Sequence, residues 1–243
     1  MDLAVTDTND SLCNAANSAA TLPTFREDGR AHLLLAASGS VATIKIPEIA
    51  NSLSRHKDKL SIRIILTQSA KNFLAGQSEE QPSVSSLMNI PCVEAVYDDA
   101  SEWGPEPWRR GAPILHIEAR KWSDLLVICP LDANTLAKIV NGICDNLLTS
   151  VVRAWDTDGT VDGKRKSIIV APAMNTAMWH HPITAKQIRM LEDDWGVQKG
   201  EEENGWFEVL RPQERLLMCG DTGNGAMREW QSIVGIIEER LGL

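Results

Sequence analysis

The fold turns on Ser167-Ile168-Ile169-Val170-Ala171-Pro172-Ala173-Met174-Asn175-Thr176-Ala177-Met178-Trp179. The apolar run that opens it is bounded by Lys164, Arg165 and Lys166 on one side and by Pro172 on the other, which predicts a buried strand. The strand ends in one amide side chain, Asn175, set among two thioethers and an indole. In open α/β sheets the carboxyl ends of the strands are where ligands bind. An amide both donates and accepts, so Asn175 suits a carboxylate or an amide ligand, with Ala173 and Met178 beside it. It also suits the N-cap of the next helix, and local sequence by itself favours that role.

Three more runs have the same form. His32 to Ala37 breaks into Ser38-Gly39-Ser40-Val41-Ala42 and then a helix from about Ile44 to His56, with Pro47 in its first turn. A strand, a small-residue turn and a helix aim backbone N–H groups at a phosphate, although GxGxxG is absent and a plain βα turn reads the same way. Leu60 to Leu66 ends in Thr67-Gln68-Ser69 before a short helix containing Phe73, so Thr67 and Ser69 are either ligand contacts or helix caps. Leu125 to Cys129 ends in Pro130-Leu131-Asp132-Ala133-Asn134-Thr135. Apolar-striped helices follow over 136–141 and 145–155, broken at Asn141-Gly142. Two more are expected over 182–195, with Ile183, Ile188, Met190 and Leu191 inward, and over 229–241. Strands alternating with helices predict a parallel, doubly wound α/β sheet of the Rossmann or flavodoxin type in one domain, residues 31–243. Residues 1–30, rich in Ser, Thr, Asn, Asp and Ala, are expected to form a disordered tail.

The connections are less regular. Residues 76–115 carry Pro82, Pro91, Pro105, Pro107 and Pro113 and an acidic patch at Asp98, Asp99 and Glu102, with a short strand at Val93 to Tyr97. His116 precedes the third strand and could overhang the same sheet edge, but a lone His on an apolar segment is more often structural. Arg120 and Lys121 read as a solvated helix face. Residues 196–214 hold Glu201-Glu202-Glu203-Asn204-Gly205 and are expected to be a solvent loop. Beyond them Cys219 stands at the hinge of a mobile loop with glycines at Gly220, Gly223 and Gly225.

Apolar content of 43% and charged content of 23% are ordinary for a globular chain. A net charge of -9 argues against nucleic-acid binding through a basic surface. The five cysteines form no CxxC pair and no metal-like spacing with the five histidines, so no metal is expected. Cys129 and Cys144 lie in apolar runs and read as inert core thiols. No apolar run approaches membrane-spanning length, and the first residues lack a signal pattern, so a cytoplasmic location is expected.

Pro172-Ala173-Met174-Asn175-Thr176-Ala177-Met178-Trp179 resembles the PxMNxxMW signature of the flavin-dependent cysteine decarboxylases, a family related to the plant and yeast halotolerance proteins. Ser-Gly-Ser-Val-Ala, Pro-Leu-Asp-Ala-Asn-Thr and the Cys219-Gly220-Asp221 segment resemble further family motifs in the same order. The resemblance spans roughly residues 31–240. It implies FMN held by Gly39, Ser40, Val41, Thr67, Ser69, Phe73, Asp132, Ala133, Asn134, Thr135 and Ala173. Asp132 stands where some members carry Ser, and a carboxylate beside a phosphate would be repelled, so it should turn to a ribityl hydroxyl or a helix N-terminus. The implied substrate is 4'-phosphopantothenoyl-cysteine of coenzyme A biosynthesis, oxidised at its thiol to a thioaldehyde, decarboxylated, and reduced to 4'-phosphopantetheine. His116, Asn175 and Cys219 would be catalytic, and Asn175, Met178, Met218, Gly220 and Asp221 would contact substrate. Met218 replaces the family's usual Ala. The family also implies a homotrimer with sites between subunits, or a mixed trimer with a paralogue. Two alternatives remain within it, a peptidyl-cysteine decarboxylase and a regulatory subunit that inhibits a protein phosphatase. The presence of all three catalytic residues favours the first reading.

Overall fold

A computed structural model of the chain describes residues 28–103, 107–198, 204–216 and 222–243. Six strands form one parallel sheet: β1 (Ala31–Ala37), β2 (Leu60–Leu66), β3 (Val93–Tyr97), β4 (Leu125–Leu131), β5 (Ile168–Pro172) and β6 (Phe207–Val209). Their spatial order is β3-β2-β1-β4-β5-β6, so the chain winds outward from β1 in one direction and outward from β4 in the other. Parallel strands covered on both faces read as continuous apolar runs, which is why β1, β2, β4 and β5 are plain in the sequence.

The two-residue period of each strand sorts its side chains into two layers. Leu33, Leu35, Ile62, Ile64, Val127 and Ile169 pack with helix α1 (Ile46–Leu53) and the last helix, whose Ile233, Val234 and Ile237 face the sheet. Leu34, Ala36, Ile65, Leu126, Ile128 and Val170 face the other layer. That layer contains α3 (Leu115–Trp122), α4 (Ala133–Val140), α5 (Leu147–Arg153) and α7 (Pro182–Arg189). Short helices α2 (Gln68–Lys71) and α6 (Thr176–Trp179) follow β2 and β5, and α8 (Trp230–Leu241) closes the chain. Among the described residues no helix is long and apolar enough to cross a membrane.

Four expectations are corrected. Phe207–Val209 is not solvent loop but the sheet edge, with Phe207 buried and stacked near Trp195 and Trp206. Three residues behind a run of glutamates carry too short a pattern to show this. The helix from Pro182 gives way to a π-helical turn, Met190–Asp194, and Ile183 is exposed because the buried stripe runs through Thr184, Ile188 and Leu191. Arg120 is buried, not solvated, with Asp162 at 3.3 Å. Lys166 is also buried there, its Nζ donating to the Arg120 carbonyl and to Asp162, both at 2.7 Å. Cys144 is exposed at the break before α5, whereas the Cys129 thiol is fully buried and pushed up to about 12.

The 1–30 tail lies outside the described residues up to 27. At its end Arg30 donates to the carbonyls of Lys57 and Leu60, both at 2.7 Å.

Candidate functional site

Because β1 and β4 are neighbours whose connections leave in opposite directions, their carboxyl ends flank an open crevice. Ser38, fully buried, bolts the two ends together. Its Oγ donates to the Pro130 carbonyl at 3.1 Å and accepts from the Asp132 N–H at 2.7 Å. Ser38 had no separate role in the sequence reading, because nothing local distinguishes it from Ser40. Gly39 follows, and its lack of a side chain is required by a close approach. A Cβ there would meet Ser69 Oγ at 2.6 Å and Asp132 Oδ2 at 3.2 Å.

Each loop then starts a helix with a side-chain cap. Ser40 accepts from the Ala42 N–H at 3.4 Å, Thr67 from Ala70, and Asp132 Oδ1 from Thr135 at 2.8 Å. Asp132 thus turns to a helix N-terminus, one of the two destinations expected for it. The cap leaves the N–H groups of Ala133 and Asn134, in the first turn of α4, without intrahelical partners, and both residues face the cavity.

The Asn175 segment is the other wall. Asn175 Oδ1 accepts from the Met178 N–H at 3.1 Å and caps α6, while among the described residues its Nδ2 donor has no hydrogen-bond partner. A hairpin of Gln213–Leu216 and Thr222–Ala226 docks against this segment. The Met174 N–H donates to the Gly225 carbonyl at 3.0 Å, and a Cβ on Gly225 would lie 2.1 Å from the Met174 carbonyl oxygen. The stretch expected to be a mobile glycine loop is therefore, over Thr222–Ala226, a paired strand. Met218, Cys219, Gly220 and Asp221 lie outside the described residues.

Together these walls enclose a cavity of about 890 Å³. Of the residues singled out in sequence, Gly39, Ser40, Val41, Phe73, Asp132, Ala133, Asn134, Ala173, Asn175 and Met178 line it. Thr67, Ser69 and Thr135 do not. Thr67 and Thr135 are buried beneath the loops, and Ser69 packs beside Gly39 with its Oγ 3.2 Å from Thr67 Oγ1.

His116 is not among the cavity's lining residues. It sits in the first turn of α3, half-buried, with Nδ1 2.6 Å from Glu102 Oε1. The acidic patch proves to be a set of ties. Asp98 binds Lys71 at 2.5 Å and caps its own turn through Ser101, and Asp99 accepts from the Leu147 N–H at 3.0 Å. Burial alone would raise the Asp98 carboxyl, but the bonds from Lys71 and Ser101 outweigh it and hold it below the usual range. In sequence Glu102 belongs only to that patch; it stands fourteen positions before His116, so no periodicity links them.

A family model described as Flavoprotein matches residues 22–242. Phosphopantothenoylcysteine decarboxylase of Mus musculus is 38% identical over 213 residues, covering 87% of this chain and 88% of that protein. Two solved structures are similar at 37% identity. One is a PPC decarboxylase Cys-to-Ser mutant complexed with pantothenoylaminoethenethiol, with a TM-score of 0.68 over 86% of this chain and 97% of that one. The other is the FMN binding protein AtHal3, with a TM-score of 0.67 over 86% and 96%. The chain spans 30% to 37% of the length of several fungal relatives that it also matches. With a family model matched from end to end of the described sheet, and loops of the same order around one crevice, this chain belongs to the flavoprotein family.

Proposed function

We propose that this protein is an FMN-dependent phosphopantothenoylcysteine decarboxylase of the cytoplasm, converting 4'-phosphopantothenoyl-cysteine to 4'-phosphopantetheine and carbon dioxide in coenzyme A biosynthesis. The observation that carries this reading is the meeting, around one cavity, of phosphate-type loop ends at β1 and β4 with the Asn175 wall. The residues present fit the cofactor. The crevice is of the size that nucleotide ligands occupy, Gly39 keeps the approach open, and the first turn of α4 offers amides to an anion. Gly39, Ser40, Ala133 and Asn134 would hold the phosphate end, and Phe73 and Ala173 the rest. When bound, FMN would supply reversible two-electron oxidation and reduction at the substrate's thiol-bearing carbon.

The chain's own residues bind, orient and move protons. Asn175, with Oδ1 committed to its helix, offers Nδ2 to the substrate carboxylate. Met178 and Ala173 supply an apolar frame beside that hydrogen bond. His116 takes the thiol proton, Cys219 returns a proton to the ene-thiol, and Met218, Gly220 and Asp221 contact the substrate. His116 does not line the cavity of its own chain, which favours a homotrimer in which a neighbouring copy contributes it.

The test is carbon dioxide release from 4'-phosphopantothenoyl-cysteine by the purified chain alone. Release is expected, and Cys219→Ser should halt it with the oxidised, decarboxylated intermediate accumulating. A yellow, flavin-loaded protein that releases none would overturn the self-sufficient enzyme in favour of a mixed-trimer subunit or a phosphatase regulator.

A further inference from the structure

We infer that Glu102 is a positioning residue for the decarboxylation, fixing the ring of His116 and its tautomer. The inference rests on the reading of His116 as the base. Glu102 Oε1 lies 2.6 Å from His116 Nδ1, a short contact of the kind that an ionised partner favours. An ionised carboxylate only accepts, so Nδ1 carries the proton and donates it. That leaves the lone pair on Nε2, the far side of the ring, as the proton acceptor.

Burial supports the same assignment. The Glu102 side chain is 7% exposed and that of His116 23%, so the carboxylate is sheltered while the ring keeps an open edge. Glu102 Oε2 is buried without a hydrogen-bond partner among the described residues. A buried half-satisfied carboxylate is costly, and such exceptions ask for a purpose that stability alone does not supply. The turn holding it is rigidly placed, because Asp98 reaches Lys71 in the last turn of α2 and Asp99 holds the first turn of α5. Three neighbouring carboxylates therefore have three different partners, and the one aimed at α3 meets an imidazole. A carboxylate–imidazole pair of this kind orients a base and stabilises the imidazolium that forms when the base accepts a proton.

The test reads the ring directly and then turnover. In ¹⁵N-labelled, flavin-loaded protein the His116 resonances are identified by their loss in His116→Asn, at alkaline pH where imidazole is neutral. The expected spectrum has Nδ1 protonated and Nε2 bare. Glu102→Ala should move the proton toward Nε2 and lower kcat at least tenfold, within the range that a general base supplies, with KM unchanged within about twofold. Glu102→Gln, whose amide oxygen can still accept from Nδ1–H, should keep the tautomer and recover part of the rate. An unchanged flavin spectrum guards against misfolding, and the ring measurement needs no turnover. Nε2–H in the unmodified protein, or a ring indifferent to Glu102→Ala, would overturn the inference while leaving the base reading intact. Full turnover in His116→Asn would instead remove the base reading itself, and with it the catalytic purpose of Glu102.

Discussion

At the scale of single residues, the helix cap and the proposed ligand group are the same side chain at Asn175. Its Oδ1 caps α6 and its Nδ2 remains for the cavity. The two functions separate by substitution. Asn175→Asp caps as well as Asn, so stability should stay within about 0.5 kcal/mol, whereas Asn175→Ala should cost about 1 kcal/mol. The new carboxylate would face the substrate's own, at a penalty of about 1.4 kcal/mol or more, or at least tenfold in kcat/KM. Thermal melting and steady-state decarboxylation check both halves, and an active Asn175→Asp enzyme would remove the carboxylate-binding role. This doubling also explains what was legible. Thr67, Asp132 and Asn175 were each readable as caps or as site residues, and all three cap. A cap is what aims a helix N-terminus at a cavity, so the alternatives do not exclude each other. Glu102 was illegible as a partner of His116 because only the folded connection brings them together.

Among the elements, the long strands were plain in the sequence, because seven-residue strands such as Leu60–Leu66 are buried on both faces and are apolar at all positions but Ser61 and Arg63. The three-residue edge strand and the docking of the Gly225 hairpin were not, since their partners lie far away in sequence. That docking is sterically exacting: the Met174 carbonyl occupies the place of a Gly225 side chain. Gly225→Ala should therefore push the hairpin off the Asn175 wall, at about 1–3 kcal/mol. Limited proteolysis should cut within 213–226, and KM should rise as the wall loosens. Gly235 is the control. It lies inside α8 with open space around its Cβ position, so Gly235→Ala should stabilise the protein by up to about 1 kcal/mol. Equal effects of the two substitutions would show that the close approach at Met174 does not govern the hairpin.

For the molecule as a whole, the doubly wound order places the crevice between β1 and β4, while His116 stands on α3 in the helical layer that covers one face of the sheet. Element pattern alone predicted the winding, because alternating strands and helices admit few other arrangements. It could not predict which residues from different loops would share a cavity. If His116 is the base, its place outside its own chain's cavity and the Asn175 amide inside that cavity make sense together when the working site joins two copies. In a cyclic trimer with head-to-tail contacts, each site would take His116 from one subunit and Asn175 from the next. His116→Ala and Asn175→Ala would then each be inactive alone. Dissociated and reassembled in equal amounts, they should form sites with both residues intact at a frequency of about one quarter, since each residue is drawn independently from two pools. Activity of the mixture should rise toward about a quarter of the unmodified enzyme. Reassembly without recovery, with mixed trimers verified by mass spectrometry, would place both residues in the site of a single chain and demand that α3 move to reach it.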